Sequence, residues 1–164
     1  MIENIITFLV KEKLLEFGWE IIVYKPPGGH GGFYIPDPDQ IGRKGTKSSL
    51  IPDIVAVKDN DILLIESKPR FNIKDKEKLD SLFKNSIKLN ILKSVLFERC
   101  KESGIEVKVN EMNFIKSLAY SKGKEIPPDF IIFKVLESKE VIIYIGKNLS
   151  NSLKSLFQKN EKEN

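Results

Sequence analysis

The stretch that most limits how this chain can fold covers residues 51–70, I-P-D-I-V-A-V-K-D-N-D-I-L-L-I-E-S-K-P-R. Two apolar runs, 54–57 and 62–65, flank the polar group Lys58-Asp59-Asn60-Asp61. Apolar, β-prone runs separated by a short polar break read as a β-hairpin. Folding it about Asn60 returns Asp53, at the head of the first strand, to the neighbourhood of Glu66 and Lys68 near the end of the second. Glu66 and Lys68 lie two apart and so project from one face. Two carboxylates and an ammonium therefore crowd one end of an otherwise apolar hairpin. Carboxylates held close repel each other unless a cation lies between them. Their oxygens suit a hard divalent ion such as magnesium, which keeps several of its waters. A lysine beside that ion orients or deprotonates a water, or steadies the charge growing on a phosphate. Glu-x-Lys alone would be no more than a solvated strand end with a surface ion pair; Pro52-Asp53 across the hairpin changes that reading.

Pro52-Asp53, a spacer, and Glu66-Ser67-Lys68 after an apolar strand resemble the PD-(D/E)XK signature of restriction-endonuclease-like nucleases. The resemblance covers the region from the first helix to about residue 109. It implies Asp53 and Glu66 as metal ligands, the Ser67 carbonyl as a further ligand and Lys68 as the catalytic lysine. It also implies a glutamate from the first helix reaching the metal site, for which Glu12 is the candidate, with Glu16 behind it. The alternative for Glu12 is a solvated helix flank shared with Lys11 and Lys13.

The same letters occur a second time. Pro128-Asp129 is followed by Glu137-Ser138-Lys139, but these last residues separate the apolar runs 130–136 and 141–145. They read as the tip of a hairpin facing water. One strand would then hold Asp129 and Glu137 some 25 Å apart, at about 3.3 Å per residue. They cannot share a metal ion, and the second copy is expected to be structural.

Along the chain, residues 2–17 read as a helix from Ile2, Ile5, Ile6, Leu9 and Phe17, with Gly18 as its stop. Residues 19–25 read as a strand. No periodic element is visible over 26–50, a length that is usually functional or disordered. This segment carries Arg43, Lys44 and Lys47, which read either as a grip on a phosphate backbone or as a plain solvated loop. His30 is the chain's one histidine, placed near phosphate or facing water. Asp37 and Asp39 read as turn residues. Gly28 to Gly32 is not followed by Gly-Lys-Ser/Thr, so no nucleotide cofactor is expected. After Pro69, Asn72 is placed to cap a helix over 73–100 that ends before Gly104. Lys74, Lys76 and Lys78 alternate with acids and read as a solvated face, whereas Arg70 is a candidate phosphate contact. A strand over 105–109, a short helix over 111–122, the second hairpin and a helix over 148–157 complete the chain, with 158–164 frayed.

The expected fold is α/β: a restriction-endonuclease-like core, a mixed β-sheet flanked by helices, over about 1–109, with a C-terminal β-hairpin and helix. The 164 residues, 41% of them hydrophobic, suffice for one domain. A net charge of +4 permits a nucleic-acid partner without demanding one. The lone Cys100 excludes a disulfide framework. No leader or membrane-length apolar run is evident, so a cytoplasmic location and no membrane partner are expected. The function expected is a magnesium-dependent DNA endonuclease, with manganese able to substitute. One site cuts one strand, so a double-strand cutter of this size would act as a homodimer. The long 28–49 loop could supply base contacts, which favours a type II restriction endonuclease. A structure-specific nuclease of the Holliday-junction or repair type stays open. So does a catalytically idle DNA-binding or assembly module of the same fold.

Overall fold

In a computed structural model, which describes residues 1–25 and 51–159, one six-stranded mixed sheet carries helices on both faces. The elements run α1 (Glu3–Glu16), β1 (Glu20–Tyr24), β2 (Ile54–Lys58), β3 (Asp61–Arg70), α2 (Ile73–Lys84) and α3 (Ser86–Glu102). They continue with a short 3-10 turn (Val109–Glu111), β4 (Asn113–Lys122), β5 (Ile131–Val135), β6 (Val141–Ile145) and a second 3-10 segment (Asn151–Phe157). Strand order in the sheet equals chain order. β1, β2 and β3 form an antiparallel meander. β4 and β5 are parallel to β3, and β6 turns back antiparallel.

The hairpin forms as its residue pattern demands. Lys58 pairs with Asp61 across the two-residue turn, where Asp59 takes the left-handed conformation at φ 55°. That conformation matches the twist of the flanking strands. Side chains of alternate strand residues then enter different cores. Ile54, Ala56, Leu63 and Ile65 pack under α1 with Ile6, Val10, Leu14 and the C-terminal 3-10 segment. Val55, Val57, Ile62 and Leu64 pack under α2 and α3 with Leu79, Leu82, Leu92 and Leu96.

Several elements differ from the pattern reading. α1 buries Ile6, Val10 and Leu14, while Ile2 and Ile5 of the expected stripe face solvent. Gly18 does follow the helix, at φ 83°. The 73–100 helix is two helices, because Asn85 leaves the helical region (φ −107°, ψ 100°) and its side chain caps α3 through Lys88 N–H at 3.1 Å. Asparagine competes with the helical backbone in this way. Asn72 caps α2 through Lys74 N–H at 2.9 Å, as expected.

The largest correction concerns 105–122. Residues 105–108 are not a strand but packed coil, and 113–122 is strand β4 rather than a helix. Phe114, Ile115, Leu118 and Ala119 have helix-like spacing, yet a strand covered on both faces shows no alternation. Ile115 and Ala119 serve the α1 core, Leu118 and Tyr120 the other. The second hairpin forms as expected and extends the sheet beside β4. The terminal helix is a 3-10 segment, Asn151–Phe157. No helix among the described residues is long and apolar enough to cross a membrane.

Candidate active site

β3 and β4 are ten residues each, twice the length of β1, β2, β5 and β6. β3 therefore runs past the last β2 pair, Ile54 with Ile65, and its final residues are flanked by β4 alone. One step beyond that pair, the register sets Asp53 opposite Glu66. The backbone of Asp53 is held from the other side, its carbonyl accepting Lys25 N–H at 2.7 Å. Its side chain reaches across the hairpin, and Oδ2 accepts the Ser67 N–H at 2.8 Å. An extended residue presents N–H and C=O to the same side, so the Ser67 carbonyl also faces the Asp53 edge.

Glu66 is 5% exposed. Its Oε1 accepts a hydrogen bond from Lys78 Nζ of α2 at 2.5 Å. Burial pushes the Glu66 carboxyl up to about 8; Lys78 draws it down, but the Asp53 carboxylate adds to the rise. Lys68 lies two residues on, part-exposed, with Nζ 3.4 Å from Glu3 Oε1 in the first turn of α1. Burial of Lys68 opposes its charge, but Glu3, Asp75 and Asp53 outweigh it and hold the amine above its usual value. Lys68 is thus kept as an ammonium, suited to steadying phosphate charge rather than to taking a proton. Glu3 and Asp75 are themselves raised, by burial first; Lys68 lowers both, and Asp53 raises both. Four carboxylates and two lysines share this end of the sheet.

Asp53, Glu66 and Lys68 are thus brought together from the hairpin, as expected. Glu12 is not: it pairs with Lys11 at 3.3 Å, and Glu16 with Lys13 at 3.4 Å, both on the solvated flank. The first-helix glutamate that reaches the site is Glu3. At 1.5 Å per residue, Glu12 lies about 13 Å further along the α1 axis. Lys78 stays at the exposed rim, but its head turns in to Glu66, because Asp75, Lys78, Leu79 and Leu82 share one helical stripe and the two leucines are buried. That spacing was the available signal for Asp75 and Lys78. Glu3 offered none beyond its place in the first turn. Arg70 closes β3, exposed, beside Lys122 of β4. His30, Asp37, Asp39, Arg43, Lys44 and Lys47 lie outside the described residues.

The second Asp-Glu-Lys copy is split as expected. Asp129 accepts from Asn148 at 3.1 Å before β5, and Glu137 and Lys139 sit in the tip beyond it, Lys139 at φ 71°.

No three His, Cys, Asp or Glu residues among those described are grouped so as to hold a metal ion. The oxygens that could hold an ion at this end are those of the pair Asp53 and Glu66, with the Ser67 carbonyl. Hard oxygens in that number fit magnesium, which is commonly held through one or two carboxylates and its own waters. No family model, curated protein or solved structure matches the chain.

Proposed function

We propose that this protein is a magnesium-dependent endonuclease that hydrolyses phosphodiester bonds in DNA, built on a restriction-endonuclease-like core. The observation that carries the reading is the reach of Asp53 to the Ser67 N–H at 2.8 Å, which sets its carboxylate beside Glu66 and Lys68. The helix, three-strand meander, helices and parallel strand support it, being compatible with the mixed sheet flanked by helices that the Pro-Asp…Glu-x-Lys resemblance implies.

A divalent ion bound here would lower the pKa of a bound water and neutralise the leaving oxygen. The chain's own residues do the rest. Asp53 and Glu66 supply the carboxylate oxygens, with the Ser67 carbonyl on the same edge. Lys68, kept charged and oriented by Glu3, offers its ammonium to the phosphate as charge accumulates there. Arg70 and Lys122, exposed beyond it, suit neighbouring backbone phosphates. Two such sites in a homodimer would cut both strands.

Magnesium-dependent nicking of supercoiled plasmid tests the reading. Nicking by the wild type, restored by manganese and abolished in Asp53→Ala and Lys68→Ala, is the expected result. A stable, DNA-binding protein that never nicks would make the chain an idle module of the same fold. Cuts at discrete positions assign a type II restriction endonuclease; sequence-blind preference for four-way junctions assigns a resolvase.

A further inference from the structure

The Glu66–Lys78 pair joins a carboxylate 6% exposed to a lysine side chain 41% exposed. The glutamate is fixed in the middle of β3, walled by β4 and by the α2 core. The lysine is a four-carbon arm whose head reaches in from the rim. We infer that Lys78 is an exchangeable internal cation of this site, neutralising Glu66 until a divalent ion takes its place. The inference rests on the metal-binding reading above and adds a residue that the resemblance does not supply.

Three features support exchange rather than a permanent bridge. First, the same Glu66 carboxylate cannot give its oxygens fully to an ammonium and to a metal ion that Asp53, opposite it, must also reach. Second, Lys78 is the mobile partner, since withdrawing a half-exposed amine into water costs little while exposing Glu66 would open the core. Third, a second acceptor is at hand: Asp75 lies one turn earlier on the same face of α2 and interacts electrostatically with both Lys78 and Lys68. The ammonium released from Glu66 moves along its own helix to a neighbouring carboxylate. The consequence is that the free protein binds its metal weakly, because entry of the ion must displace a resident charge.

Calorimetric titration of magnesium, without DNA, tests this in wild type, Lys78→Met, Lys78→Gln, Lys78→Arg and Asp53→Ala. All variants are titrated in the same buffers over several pH values, so that proton competition is separated from displacement of the ammonium. Lys78→Met and Lys78→Gln are expected to bind magnesium about tenfold more tightly than wild type or more, whereas Lys78→Arg stays weak. Thermal melting gives a second readout: magnesium is expected to raise the Tm of Lys78→Met, or of Lys78→Gln should the first fail to fold, more than that of wild type. Equal or weaker binding in the neutral variants, with metal binding still lost in Asp53→Ala, overturns the exchange and leaves the metal site standing. Absence of magnesium binding in every variant overturns the metal reading and the exchange together.

Discussion

Two carboxylate–lysine clusters lie on the α2 side of the sheet, and they behave oppositely. Asp80 of α2 accepts from Lys116 Nζ at 2.8 Å and from Lys76 Nζ at 2.7 Å. Although burial pushes its carboxyl up, the two lysines outweigh that and hold it below its usual value. Glu66 is buried more deeply, has one lysine and faces Asp53, and it is raised. Asp80 is a satisfied ion pair between helix and sheet, its lysines resting on Phe83 and Phe130. Glu66 is a buried carboxyl with one lysine against a facing carboxylate. That difference distinguishes the two clusters more sharply than the count of charges does, and it supports the proposed reading of the Glu66 end as a site.

The contrast is open to direct attack. The largest effect is expected from Asp53→Asn and Glu66→Gln, each lowering the nicking rate on the order of a thousandfold. Asp80→Asn, by contrast, should leave the rate within about twofold while destabilising the fold by about 1–2 kcal/mol in urea melts. A thousandfold loss in Asp80→Asn would erase the distinction. Lys68→Met is expected to lower kcat by about a hundredfold with little change in plasmid binding. A change confined to KM would instead make Lys68 a binding residue.

Dependence on pH should divide the two clusters by sign. Glu66 binds its proton more tightly folded than unfolded. Its contribution to stability is therefore present below about 4.5 and declines as pH rises towards 8. Magnesium affinity should move the other way, rising up to about pH 8 as that proton leaves. Asp80 contributes above its unfolded pKa and loses that contribution as pH falls through its lowered folded value. Melting curves of Glu66→Gln and Asp80→Asn across pH check both signs, and the Glu66→Gln protein should lose the decline in stability between about pH 4.5 and 8. The smallest effect is expected at the repeated motif: Asp129→Asn, Glu137→Gln and Lys139→Met should change nicking less than about twofold and stability by less than about 0.5 kcal/mol.

What was legible in the residues followed from local rules. The hairpin about Asn60 could be read because a short polar break between β-prone runs has few other solutions, and with it came the approach of Asp53 to Glu66 and Lys68. The repeated motif could be set aside for the same reason, since one strand separates what a hairpin would join. β4 was not legible: strand character buried on both faces carries no alternation, and its apolar spacing imitates a helix.

The sequence by itself determined the pairing register of β2 with β3, because a slip of one residue would turn each apolar side chain to the opposite core. Only the tertiary structure decided which distant charges complete the site. Glu3 arrives because α1 crosses the sheet with its first turn at the Lys68 end, and Lys78 because α2 packs Leu79 and Leu82 beneath it. Such contacts depend on how helices lie across a sheet, and spacing along the chain does not carry that information.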